Sequence, residues 1–386
     1  MTDFAASSSS QPRSALRRCA IFCKVVDNLG DIGVCWRLAR QLADEFGLCI
    51  DLWVDDIALA QTFAGTGHLR IQLWHWQADR ETDCLQDYLT QTPLPQAVIE
   101  TFGCGLPAAV QQALLSQPCC WINLDYLSAE AWVADFHGRP SPQANGLVRH
   151  FFYPGFDAHT GGLLREKTMP RTDHAARSAL EGLGLTEASE LVTVSLFCYA
   201  QAPLHAFWHS LLASPQPVRL LVPQMVMPGL AAATGLPTLT AGQRYQQDHL
   251  SVQVLPFVSQ PLYDQVLALC DFNIVRGEDS WLRALWAAKP MLWQPYIQSE
   301  DTHVLKLRAF LQHYLAQAEG SVARLLEHTM LAWTQGHWQP ADWQGLVHHL
   351  PALKAHAQAY ATRQSQQADL ATKLVIFIEN WWAHQV

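Results

Sequence analysis

Residues 23 to 37 read Cys23-Lys-Val-Val-Asp27-Asn28-Leu-Gly30-Asp31-Ile-Gly33-Val-Cys-Trp-Arg37. They follow an apolar run and open an amphipathic one, so the junction reads as a strand-to-helix turn carrying two carboxylates and two glycines. Asp27 and Asp31 bracket the turn. Gly30 and Gly33 let the backbone fold tightly or approach a ligand, and the helix beginning there offers unpaired N–H groups to an anion. Two readings fit: a ligand site, or a helix capped by Asp with Gly serving only the turn. No dinucleotide fingerprint is formed, because the first glycine of Gly-x-Gly-x-x-Gly falls on Asn28.

Outward from this turn, strand-length apolar runs alternate with helical segments, as in parallel sheets with helices on both faces. The first half offers strands at Cys19–Val26, Cys49–Val54, Leu69–Trp74, Val98–Thr101 and Cys120–Leu124. In the helix between the first two, Cys35, Leu38, Ala39, Leu42, Ala43 and Phe46 share one face; Arg37, Arg40, Gln41 and Asp44 lie opposite. The second half restarts the pattern with Leu191–Cys198, Val218–Pro223, Val252–Phe257, Phe272–Val275 and Pro290–Trp293. Between the halves, Thr168 to Glu190 is polar and reads as a linker followed by a short helix. Pro351 to His384 reads as helical throughout, with Leu370, Leu374, Phe377, Ile378 and Trp381 on one face. Two consecutive α/β domains and a final long helix suggest the two-Rossmann GT-B architecture, with ligands in a cleft between strand C-terminal ends.

Composition narrows the function. A chain of 386 residues favours two domains. A net charge of −9 without any Lys/Arg-rich run argues against a nucleic-acid grip and suits a basic protein partner. The ten cysteines contain no Cys-x-x-Cys pair, which points to reduced thiols in the cytoplasm and away from a zinc site. No apolar run reaches the roughly 18 residues of a membrane span, and residues 1–18 read as a disordered tail. His137, His150, His303, His348 and His349 show no metal-ligand spacing. Asp55 and Asp56 read as a solvated turn; Asp125 and Tyr126 suit the acceptor side of the cleft, and Trp121 suits that side or the core.

A second segment, Asn273-Ile-Val-Arg276-Gly277-Glu278-Asp279-Ser280-Trp281, repeats the strand–turn–helix pattern in the second half. Backbone N–H groups and the Ser280 hydroxyl there suit a diphosphate, with a capped helix as the alternative.

These two segments, with Pro154-Gly-Phe156, Thr160-Gly-Gly-Leu-Leu-Arg-Glu166, Ser195-Leu-Phe-Cys-Tyr199 and Pro256-Phe-Val258, resemble the EarP family over residues 19 to 384. The resemblance implies an inverting, metal-independent protein-arginine rhamnosyltransferase without cofactor. Its donor would be dTDP-β-L-rhamnose and its acceptor an arginine of translation elongation factor P, activated thereby for rescue of ribosomes stalled at polyproline. It implies an acceptor-binding domain of residues 19–175 plus about 362–386, its C-terminal helix crossing back, and a nucleotide-sugar domain of 186–361. Asp31 matches the catalytic base, Asp27 and Glu278 further essential acids. Asp279 and Ser280 match the diphosphate-holding helix start, Phe257 the aromatic beside thymine, Gln260 a nucleotide contact, and Phe197, Tyr199 and Tyr296 residues near the donor. Asn28, Gly30, Arg276 and Gly277 complete the donor-binding set.

The chemistry asks for such residues. An arginine side chain stays protonated and is a poor nucleophile, so a carboxylate must hold it, turn a nitrogen toward the sugar and accept a proton. The chain has no Asp-x-Asp triplet, which fits leaving-group stabilisation by a helix start without metal. The competing readings are a GT-B transferase with another acceptor and a catalytically silent nucleotide-binding adaptor.

Overall fold

Cys19-Ala-Ile-Phe-Cys23 is apolar at every position, the composition of a strand covered on both faces. In the computed structural model, which describes residues 16–27, 29–77, 83–91, 94–167 and 174–385, all five of these residues are buried. The strands in chain order are β1 (Arg18–Cys23), β2 (Cys49–Val54), β3 (Ile71–His75), β4 (Ala97–Thr101), β5 (Cys120–Leu124), β6 (Pro140–Pro142) and β7 (Val148–Phe152), then β8 (Val192–Leu196), β9 (Val218–Pro223), β10 (Arg244–Gln247), β11 (Leu250–Leu255), β12 (Phe272–Arg276) and β13 (Met291–Gln294). They form two sheets, ordered β3-β2-β1-β4-β5-β7-β6 and β10-β11-β9-β8-β12-β13. Stripped of the antiparallel edge strands β6 and β10 and of β7, each is a parallel sheet in the order 3-2-1-4-5. Two Rossmann-like units therefore follow one another, and ligands of such sheets lie at the strand C-terminal ends.

All ten expected strands are present, and three are added. Val148-Arg-His-Phe-Phe152 and Arg244-Tyr-Gln-Gln247 carry charged and polar residues, so neither reads as an apolar run, and β6 is only three residues long. The first strand ends at Cys23 rather than Val26 and starts before residue 19: Arg18 already pairs with Cys49, and Leu16 ahead of it is buried. Residues 1–15 lie outside the described residues. The short helix after the linker, His174–Gly182, packs on the helix Gln260–Leu269 of the second unit.

The helical tail is not continuous. Leu350–Gln364 ends, and a separate helix Leu370–Ala383 starts where the Asp369 carboxylate accepts the Thr372 N–H at 2.9 Å. The break redirects the chain onto the first sheet. There Phe377 meets Phe152 and His150, and Trp382 Nε1 donates to the Gln96 carbonyl at 3.1 Å. Among the described residues no helix is long and apolar enough to cross a membrane.

The first helix, Leu29–Phe46, is buried on more than its apolar face, since Arg37 and Gln41 are also almost fully covered. Both sit against the second unit or the chain that returns from it. The Arg37 guanidinium forks onto Asp264 at 2.8 and 3.0 Å and reaches Asp279 at 2.6 Å. Arg283 bonds the same Asp264 at 2.8 Å and Glu166 at 2.6 Å. Burial by itself would raise the Glu166 carboxyl; Arg283 and Arg37 bring it below the ordinary carboxylate range. Gln41 donates to Asp369 and to the Arg165 carbonyl.

Candidate active site

The residues at the C-terminal ends of β1, β8, β11, β12 and β13 converge on two adjoining clefts of about 780 and 770 Å³. Asp27, Gly30 and Gly277 line both and form the wall between them.

The first cleft is mainly apolar. Phe257 and Phe197 stand in it with Leu29, Phe63, Met225 and Val258; Gln260, Arg276, Asp279 and Ser280 provide polar edges. Phe257 is 54% exposed and meets Phe63 at right angles, with ring centroids 5.8 Å apart and planes at 86°, so much of its ring is left for a flat partner. The Arg276 guanidinium lies 4.5 Å from the centroids of both Phe197 and Tyr199, and it is the cation among the described residues lining this cleft. Gln260 Nε2 donates to the Gly33 carbonyl at 3.0 Å while its Oε1 is buried without a partner, and Tyr263 Oη is likewise unpartnered.

The turn at Arg276–Ser280 differs in detail from the sequence expectation. Ser280 Oγ donates to the Arg276 carbonyl at 2.5 Å and accepts from the Arg276 N–H, so the hydroxyl closes the turn. The Asp279 carboxylate is taken by Arg37. What the helix Asp279–Trp286 offers an anion is therefore its first-turn N–H groups. Gly277 has φ +60°, and a Cβ there would stand 2.9 Å from Asp27 Oδ2 and 3.1 Å from Tyr199 Oη, so the position demands glycine on two counts.

The second cleft collects the carboxylates. Asp31, Asp27 and Glu278 line it with Val34, Phe102, Tyr126, Tyr296 and Lys306. Asp31 is buried and its Oδ2 accepts the Val26 and Asp27 N–H groups at 2.7 and 2.8 Å. It fastens the loop before its helix, and the Tyr126 hydroxyl reaches the same carboxylate. Burial raises the Asp31 carboxyl; the two N–H donors partly offset this, and Asp27 adds to it. Asp27 Oδ2 accepts from Tyr199 Oη at 2.7 Å, a bond across the cleft. Glu278 makes no cap to its own helix. Its Oε2 accepts the Leu127 N–H of the first unit at 2.9 Å, and its carboxyl is pushed up to about 8 by burial, aided by Asp31, Asp125 and Asp279.

The structure thus brings together Asp27, Asp31, Glu278, Gly30, Phe197, Phe257, Gln260, Arg276, Gly277, Asp279, Ser280 and Tyr296 as cleft walls. Tyr199 stands just beneath, its ring meeting Tyr296 edge-on at 5.7 Å; Asn28 lies outside the described residues. One reading is corrected and one open alternative is decided. Asp55 and Asp56 are not merely solvated: Asp55 accepts the Val25 N–H at 2.9 Å and so anchors the loop of Asp27, while Asp56 caps the helix Ile57–Ala64. Trp121 belongs to the core, donating to buried Glu100 at 3.1 Å. Phe63, Met225, Tyr263, Phe102 and Lys306 were not expected from the sequence. Only Phe102, before Gly103 and Gly105 at a strand end, carried a signal for a special turn.

The model of the family described as elongation-factor P (EF-P) rhamnosyltransferase EarP matches residues 19–379. A protein-arginine rhamnosyltransferase of Pseudomonas putida is 43% identical over 378 residues, covering 93% of this chain and 98% of that protein. The solved structure that describes the basis for EarP-mediated arginine glycosylation of translation elongation factor EF-P superposes with a TM-score of 0.67 at 35% identity, over 94% of this chain and 99% of that one. The spinosyn rhamnosyltransferase SpnG complexed with thymidine diphosphate shares the two-domain fold, with a TM-score of 0.54 at 13% identity over 93% and 99% of the chains.

Proposed function

Because the chain belongs to the EarP family of protein-arginine rhamnosyltransferases, we propose that it moves L-rhamnose from dTDP-β-L-rhamnose to one arginine of translation elongation factor P, with inversion at the anomeric carbon. The observation that carries this reading is the pairing of the two clefts: an aromatic one with a single arginine beside a second one holding three carboxylates.

The nucleotide occupies the first cleft. Thymine packs against the exposed ring of Phe257, and the unpartnered Gln260 Oε1 suits the one N–H of that base. The diphosphate takes Arg276 and the helix start at Asp279, where donors and dipole stabilise the charge that develops as dTDP leaves. The acceptor guanidinium enters the second cleft, whose acids attract it. Asp31, with Oδ2 held by two N–H groups, keeps its geometry and accepts a proton from the attacking nitrogen as the C–N bond to the sugar forms. Its raised proton affinity makes it a stronger base than a solvated aspartate. Asp27, at the wall between the clefts, orients the guanidinium, and Glu278 supplies a further carboxylate on the opposite side of the cleft.

Intact mass of elongation factor P after incubation with this chain and dTDP-L-rhamnose tests the proposal: one added deoxyhexose at an arginine is expected. Transfer should persist in excess EDTA, since no step uses a metal; activity lost to EDTA and restored by Mg²⁺ would overturn that part. An unmodified acceptor would overturn the choice of acceptor or donor.

A further inference from the structure

The carboxylate chemistry leaves a pair of rings in the second cleft without a role. Phe102 follows β4 and Tyr126 follows β5; the two stack with centroids 4.2 Å apart and planes at 13°, and both line the cleft that holds Asp31 and Glu278. Phe102 has φ +57°, in the left-handed region that a side chain with a Cβ seldom adopts. Its neighbours Gly103 and Gly105 have φ +65° and +75°, so the loop already uses glycine for such backbone, yet position 102 carries a ring. The conformation is held from both sides: the Phe102 N–H donates to the Leu124 carbonyl at 2.7 Å, and the Gly103 N–H donates to Asn123 Oδ1 at 3.1 Å. Strain kept in place at a cleft wall points to use of the side chain. The other ring already receives a cation, since Lys306 Nζ of the second unit lies 6.0 Å from the Tyr126 centroid.

We propose that the Phe102–Tyr126 pair is the platform on which the acceptor guanidinium lies while Asp31 and Glu278 hold its edges, and that this platform selects guanidinium over ammonium. The proposal rests on the arginine-acceptor reading. A guanidinium is planar, weakly hydrated and stacks on aromatic faces; an ammonium is a compact, strongly hydrated point charge that gains less there. Carboxylates alone attract both. The rings supply the difference.

Phe102→Gly deletes the ring and adopts the left-handed backbone more readily than any side chain, so folding is spared. With elongation factor P as acceptor, this variant should raise the acceptor KM by roughly two- to thirtyfold, the range of an exposed to a desolvated cation–π contact. The donor KM, dTDP binding by calorimetry and the melting temperature should not fall, and Phe102→Tyr should restore the acceptor KM. Ligand-observed NMR with methylguanidinium, against methylammonium as control, needs no transfer: the intact protein should prefer methylguanidinium, and Phe102→Gly should lose that preference. Equal binding of the two cations, or an unchanged acceptor KM in Phe102→Gly, would overturn the platform. Preference for methylguanidinium without any modification of elongation factor P would leave the platform standing and overturn the acceptor assignment alone.

Discussion

At the scale of single residues, the proposed mechanism gives Asp31 two purposes that a substitution can separate. Its Oδ2 secures the loop through the Val26 and Asp27 N–H groups, whereas proton acceptance needs the charge. Asp31→Asn retains an oxygen for the loop and removes the base, so transfer should be abolished while dTDP still binds, as expected for a group that acts in the transition state. Calorimetry and intact mass measure the two; near-normal turnover would remove Asp31 from the mechanism. Glu278 gives a pH dependence. Its proton is held up to about 8 in the folded chain against 4.5 for an ordinary glutamate. The stability this contributes is complete below 4.5 and is lost as pH rises toward 8. Attraction for a guanidinium runs the other way, because in the folded chain the carboxylate ionises only as pH passes through about 8. Thus kcat/KM for the acceptor should climb from neutral pH with its midpoint at about 8, and Glu278→Gln should flatten the climb. A profile identical in the two proteins would show that Glu278 does not meet the acceptor as an anion.

At the scale of elements, the helix Leu29–Phe46 is amphipathic in sequence, yet Arg37 and Gln41 on its polar face are buried as well. The second unit covers Arg37 on its polar face, and the contact is tolerated because the charge is matched by Asp264 and Asp279 rather than left bare. Removing it would leave Asp279 without its cation and Asp264 with Arg283 alone. Arg37→Met should therefore lower stability by about 3–5 kcal/mol, the cost of breaking a buried ion pair from one side. Chemical denaturation reads this directly, and an unchanged midpoint would mean that solvent reaches those acids. Gly33 belongs to the same contact, since a Cβ there would come within 3.3 Å of Gln260 Nε2. The two glycines of the first turn thus serve different neighbours: Gly33 admits the second unit, and Gly30 admits Asp27, whose Oδ2 would lie 2.9 Å from an added Cβ.

At the scale of the whole molecule, the acids stand between the two sheets, so an acceptor arginine must be carried into the cleft on a projecting segment. Recognition of the folded acceptor domain follows from that geometry, and the net charge of −9 adds steering toward a basic partner. Modification of the intact domain should exceed that of a linear peptide bearing the same arginine, and added salt should slow association more than it changes dissociation. Equal efficiency with the peptide would refute the first expectation. A salt-independent association rate would refute the second.

Much of this was legible along the chain because strands and turns are local. The run Cys19–Cys23 needs only its own apolar residues to read as a buried strand, and Asp27, Asp31, Arg276 and Glu278 announce themselves at strand ends where sheets of this order bind ligands. Legibility stopped wherever a residue's partner is distant in sequence. Nothing near Glu278 indicates that its carboxylate reaches Leu127, 151 positions away, or that this environment lifts its proton affinity. Nothing near Ser280 indicates that its hydroxyl closes the turn instead of facing a ligand. Arg37 reads as a surface residue until the second unit covers it, and Phe102 meets Tyr126 only because β4 and β5 are neighbours in the sheet. Local sequence determines which backbone forms and which groups stand at its ends; burial, proton affinity and pairing depend on what the rest of the chain brings within a few ångströms, and only the tertiary fold decides that.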